Sequence, residues 1–222
     1  MNKSPLSPDI LFQIGIVPIS RAVVTTWAIM ALLALILIPL MRRRPSGPNA
    51  AQTAMEILVT TIAAQLREIL GRDPWPFLPL LGSLFIFLVL ANLSAVIPGA
   101  APPTGHVETP AALAIIVFLS VHFFGITRRG PARYLRHYVE PSPFLLPLNV
   151  LSELTRTFSL MIRLFGNMMS HEFVIAIVVF LAGLLVPIPF LLLGILIGII
   201  QAYIFTVLAA VYVAAAVGAV EA

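Results

Sequence analysis

From Asn149 to Val220 the sequence consists of two apolar runs, one reaching about Leu185 and the other starting at about Phe190, with Pro187 and Pro189 between them. Runs this long leave few folds open. Each exceeds the roughly 20 residues that an α-helix needs to cross a bilayer. In lipid, every backbone polar group must be paired within the structure, and a helix does this within its own segment. A transmembrane β-barrel would show short alternating segments instead. Further apolar runs lie at about Ala22–Met41 (22–41), Trp75–Ile97 (75–97) and Thr109–Ile126 (109–126). Hydrophobic residues make up 60% of the chain and charged residues 10%, against about 25% charged in soluble domains. The expected fold is an all-α integral membrane protein. It is a single membrane domain (1–222) of about five membrane helices, including a long, strongly tilted C-terminal hairpin over 149–220, plus one amphipathic surface helix.

The tilt follows from length. The arm from Asn149 to Leu185 would be about 55 Å long as a helix, and the hydrocarbon core is about 30 Å thick. An unbroken helix of that length tilts by about 55–60°, well above the usual ~20°; the alternatives are a kink or a protruding polar first turn. The prolines are expected to break the hairpin between its arms. In the segment 49–70, Ala51, Met55, Leu58, Ile62, Leu66 and Ile69 recur at helical spacing, with Gln52, Glu56, Thr60 and Arg67 largely off that face. This is an amphipathic helix too polar to span, expected on the cytoplasmic surface or against a partner protein. Thr109 before Pro110 is expected to cap the third span.

Arginines set the orientation. Arg42, Arg43 and Arg44 end the first span, and Arg128, Arg129, Arg133 and Arg136 follow the third, whereas Pro98–Glu108 holds no Lys or Arg. By the positive-inside rule the N-terminus is outside and the C-terminus cytoplasmic. The first twenty residues resemble neither a signal peptide nor a transit peptide, so a bacterial inner membrane is the expected location. The net charge of +4 is clustered beside spans, which gives no reason to expect a nucleic-acid partner. The chain has no cysteine, which excludes disulfides, thiol catalysis and thiolate metal sites. No Gly-rich phosphate loop is present. Neither a cofactor nor a metal is expected.

Arg163 lies deep in the first hairpin arm, near Ser159, Asn167, Ser170, His171 and Glu172. A charge at a helix centre costs about 2.5–3.5 kcal/mol on insertion scales, so such residues face water or an opposite charge. An internal salt bridge with Glu172 is the alternative, and geometry argues against it. Nine residues at about 100° each put Glu172 on the opposite face, about 13.5 Å along the axis. Ser159, Arg163, Asn167 and Ser170 form one polar stripe, the mark of a protein or water interface. His171 and Glu172 form a second ionisable site, where a carboxylate and an imidazole can pass a proton. Gln201 in the second arm is either interhelical glue or part of an ion path. Pairing it with Arg163 requires a turn centred at residue 182, earlier than the prolines. Asn92 is expected to be glue or a path residue, and His122 to be structural.

These segments resemble a known family. SLMIRLFGNMMSHE (159–172) closely resembles the signature helix of subunit a of F-type ATP synthases. QAYIFTVLAAVY (201–212) resembles the family's last helix. ANLSAVIP (91–98) with PPTGHVETPAALA looks like its earlier channel spans. The resemblance implies a stator channel with two aqueous half-channels, working against a ring of c subunits. It implies that Arg163 is the essential arginine facing the ring and Glu172 an acid in a half-channel. Asn167 and Gln201 match polar residues near the arginine. Ser159 matches a small position on the ring face, and Asn92 a half-channel residue. The implied partners are the c-ring, peripheral-stalk b subunits, the whole ATP synthase complex and a translocated H+ or Na+. The chain would be a non-catalytic, ion-translocating subunit of that H+-transporting enzyme complex. Many members have Gly before the Glu and an ionisable residue seven places before the Gln. Here those positions are His171 and Gly194, which points to the two being spatial neighbours. Ala95 stands where some members have an acid.

Other function classes fit less well. A secondary transporter would show repeats and broken helices. An intramembrane zinc protease would need a second His after His171–Glu172.

Overall fold

The computed structural model describes residues 10–14, 17–42, 50–97, 102–131, 134, 144, 146–183 and 186–218. The described residues form six long helices: α1 (Arg21–Arg42), α2 (Ala50–Leu70), α3 (Leu78–Leu93), α4 (Glu108–Arg129), α5 (Leu146–Ala182) and α6 (Pro187–Val217). The four helices α3 to α6 are long and apolar enough to cross a membrane, and the apolar part of α1, Arg21–Ile36, is shorter. The membrane-helical class expected from the sequence is what the structure shows. One element is additional: a short antiparallel hairpin, β1 (Ile10–Ile14) and β2 (Val17–Ser20), leads into α1. Arg43, Arg44, Arg133 and Arg136, on which part of the topology reading rests, lie outside the described residues.

The helix ends follow local chemistry. Gly71 stops α2 with φ +62°, and its N–H donates to the Arg67 carbonyl at 2.9 Å. A left-handed residue after a helix pairs a carbonyl that would otherwise be orphaned, at no steric cost to glycine. The same device ends α5 at Gly183, φ +77°. Pro187 does not break an arm. It sits in the first turn of α6, where its missing N–H costs nothing. The α5–α6 turn therefore comes earlier than the prolines imply. Thr109 is not the cap of α4 either. The helix starts at Glu108, whose acidic side chain in the first turn suits the helix dipole.

Helix α6 is the hub. It packs against α2, α3, α4 and α5, most extensively against α3. In lipid, apolar burial drives helix association weakly, because lipid tails are as apolar as leucine; close approach at small residues does more. Small residues accordingly recur along the buried side of α6, at Gly194, Gly198, Ala202, Ala209, Ala210 and Ala214. It meets Leu81, Leu84 and Leu88 of α3, Leu113, Val117 and Val121 of α4, and Leu160 and Leu164 of α5 in one core. The second half of α2 joins this core through Leu66 and Leu70, and Tyr203 Oη donates to Gln65 Oε1 at 3.1 Å. The buried face of α2 is therefore Ala63, Leu66 and Leu70, and Leu58, on the expected apolar face, is exposed.

Polar contacts fix the two ends of the bundle. At one end, Arg128 lies over the Phe77 ring at 5.8 Å, and Phe77 packs edge-on against Phe124 at 4.8 Å. There too, Arg129 Nη2 donates to the Ala215 carbonyl at 3.3 Å. The start of α3 and the ends of α4 and α6 thus share one side. At the other end, Asn92 Nδ2 donates to the Gly198 carbonyl at 2.8 Å, and Thr104 Oγ1 donates to Asn92 Oδ1 at 2.9 Å. These bonds hold the 3-10 turn Pro103–Gly105 against the end of α3 and the first half of α6.

Candidate functional site: the inner and outer faces of the long hairpin

Helix α5 has two faces. Leu160, Leu164 and Met168 are buried against the bundle. Ser159, Arg163, Asn167 and Ser170 are exposed, beside Phe158 and Ile162, which are 58% exposed each. Only 11% of the most apolar stretch of α5 is buried within the chain, against 39% for α3 and α4 and 33% for α6. The helix with the midspan cation is thus the one its own chain covers least. Among the described residues Arg163 makes no hydrogen bond or ion pair. Glu172 points elsewhere, as the helical arithmetic requires.

Asn167 Nδ2 donates to Gln201 Oε1 at 2.6 Å, joining α5 to α6 one turn beyond Arg163. This removes the mismatch in the hairpin register. Gln201 is opposite Asn167, not Arg163, and the midpoint between those two falls just after Gly183. Gln201 is only 3% exposed, and its Nε2 has no partner among the described residues. Interhelical bonds of this kind contribute about 0.6–2 kcal/mol in membranes.

His171 and Glu172 are sequence neighbours with different surroundings. The His171 imidazole lies on Gly194 of α6, so closely that a Cβ at that position would overlap Nε2. The neighbourhood inferred from the exchanged residues at 171 and 194 is present. The Glu172 carboxylate lies against Gly105, where an added Cβ would be 2.7 Å from Oε1. His106 is the next residue along that turn. His171 and Glu172 therefore do not form one local pair. His106 and Thr104 were missed in the sequence. The only signal was a histidine and a hydroxyl in a Pro-rich loop that a topology reading treats as a connector.

Asn92, 3% exposed, uses both ends of its amide, so it works as glue between α3, α6 and the 103–105 turn. His122 is structural as expected: its Nδ1 is 2.8 Å from the Phe118 carbonyl, and its ring packs on Tyr134 at 5.9 Å. Ser159 opens onto a groove of about 440 Å³ lined by Leu148, Leu151, Ser152, Thr155, Arg156 and Tyr212. Arg156 stacks over Tyr212 at 5.6 Å. Polar side chains thus occur on both sides of Arg163 along α5: Ser152, Thr155 and Arg156 in the groove before it, and Glu172 about 13.5 Å after it. Among the described residues no cluster of His, Asp and Glu could hold a metal ion.

Comparison with known proteins agrees with the resemblance. Residues 23–214 match the family described as ATP synthase A chain. The chain is 58% identical over 220 residues, 99% of both chains, to ATP synthase subunit a 2 of a Bradyrhizobium species. It is 44% identical over 215 residues to ATP synthase subunit a of Nitrosospira multiformis, covering 95% of this chain and 86% of the relative. To ATP synthase subunit a 1 of Chlorobaculum parvum it is 45% identical over 215 residues, 95% of each.

Proposed function

This chain belongs to the ATP synthase A chain family, and from that premise we propose that it is the stationary ion channel of the enzyme, passing protons beside a rotating ring of c subunits. It is a multi-pass membrane subunit acting in the membrane sector of a rotary F-type ATP synthase. Arg163 meets the ring. A ring carboxylate is neutral while it crosses lipid, because a buried charge is costly. Beside Arg163 the ionised form is favoured, and the proton leaves. The guanidinium also repels cations, which blocks a direct leak between the two half-channels. One half-channel opens at the Glu172 end of α5, and the other along the Ser152–Ser159 groove. Asn167 and Gln201 hold the two arms in register beside the arginine. Peripheral-stalk b subunits complete the stator.

The observation that carries this reading is Arg163 on the least covered face of the longest apolar helix. Imidazoles around the Glu172 end favour H+ over Na+ as the coupling ion, since they exchange protons and are poor ligands for a hard cation. The Arg128 and Arg129 end of the bundle is the cytoplasmic side by the positive-inside rule. In the assembled complex in liposomes, Arg163→Ala is expected to leave subunit composition intact and to abolish both ATP-driven proton uptake and gradient-driven ATP synthesis. Retained coupled synthesis would remove Arg163 from the mechanism. Sodium-dependent turnover would overturn the choice of ion.

A further inference from the structure

We propose that His106 is the partner with which Glu172 exchanges protons at the outer mouth of the channel. This inference rests on the channel reading above. The Glu172 carboxylate packs on Gly105, the residue before His106, so closely that a Cβ there would displace it, lying 2.7 Å from Oε1 and 3.0 Å from Cδ. The turn that carries the imidazole is held in place. Pro102, Pro103, Thr104 and Gly105 are buried, Thr104 is bonded to Asn92, and the His106 N–H donates to the Pro103 carbonyl at 3.4 Å. The imidazole itself is half-buried, between that sealed turn and exposed Val107 and Glu108. Other titratable groups stand on the neighbouring elements: His171 on α5, Glu108 at the start of α4 and Arg21 at the start of α1. His171 is turned onto Gly194 and Glu108 and Arg21 are exposed, whereas His106 directly follows the glycine on which the Glu172 carboxylate packs.

An imidazole has two ring nitrogens, so it can accept a proton on one side and release one on the other. In the synthesis direction, a hydronium in the outer water protonates the His106 ring. The imidazolium passes a proton, through water in the mouth, to the Glu172 carboxylate and returns to neutral imidazole. The Glu172 acid then passes its proton toward the ring carboxylate and returns to carboxylate. No other reactant is needed, and the net change is one proton moved inward.

The test uses the intact complex in liposomes, with outer pH varied at constant total driving force. His106→Ala and His106→Gln are expected to assemble and to slow synthesis by about tenfold, below the 10²–10⁴-fold typical of an essential acid or base, because water still wets the mouth. Both should flatten the dependence of rate on outer pH in the imidazole range, about pH 5 to 8. Free imidazole in the outer compartment should restore the rate of His106→Ala. Gly105→Ala, which displaces the carboxylate, should slow synthesis while keeping the histidine. The inference is overturned if both His106 variants keep the wild-type rate and profile. It is equally overturned if they slow turnover with an unchanged profile and no rescue by imidazole. Arg163→Ala in the same assay separates the two levels: if it remains coupled, the channel reading fails first.

Discussion

Gln201 is almost wholly buried, and its amide uses its oxygen to accept from Asn167 while its nitrogen has no partner among the described residues. Removing Asn167 would leave the other half of the amide orphaned as well. Asn167→Ala is therefore expected to cost about 1–3 kcal/mol, the penalty for an unpaired buried polar group, whereas Asn167→Leu with Gln201→Met should cost less than the single change. Thermal unfolding of the purified complex in detergent, followed through this subunit, measures the difference. A second residue-scale expectation concerns His171. Gly194→Val puts a branched side chain where the imidazole lies and should impair assembly. His171→Gly in the same chain should recover it, a coupling that independent sites would not show. Assembled complex per membrane protein is the readout. The arginine was legible in the sequence because a midspan charge is costly and therefore conspicuous. The neighbours of Glu172 were not, because they come from a loop whose position depends on the Asn92–Thr104 bond.

Helix boundaries were read from composition to within a few residues, since lipid permits little except apolar helix over a span. What failed was punctuation. Pro187 and Pro189 look like breakers, yet proline is well suited to a helix's first turn, and Gly183 makes the stop. Thr109 looks like a cap, but the helix takes Glu108 into its first turn. Which helices touch was also hidden, because α3 and α6 are apolar on all sides. Their contact depends on Gly198, where a Cβ would lie 2.9 Å from the Asn92 Cβ. Gly198→Ala should force the helices apart and destabilise by about 1–3 kcal/mol, as overpacking does. Arg129 ties α4 to the last turn of α6 at the opposite end, donating to the Ala215 carbonyl, which also accepts from the Gly218 N–H at 3.2 Å. Arg129→Ala should lower the unfolding temperature of the complex more than Arg129→Lys, which keeps the charge at that helix terminus.

For the whole molecule, the question is why so long a helix stays so little covered by its own chain. In lipid alone, α5 would place the Arg163 charge where it costs about 2.5–3.5 kcal/mol. On the channel reading proposed above, a rotating partner that brings a carboxylate to that face would remove the cost and, by moving on, restore it, which would make the exposed charge a working part of a two-component device. This makes a geometric demand on α5. Residues at the same depth but on opposite faces must behave differently. The chain has no cysteine of its own, so single thiols can be introduced without interference. Ile162→Cys, on the exposed face, should form a disulfide with a cysteine placed beside the ring carboxylate. Leu164→Cys is within one turn of it but fully buried, and should not. Cross-linked product on a non-reducing gel, absent when the ring is omitted, is the expected result. Equal cross-linking at both positions would mean that α5 does not present a fixed face to the ring, and a guanidinium without a fixed face could not separate the two half-channels.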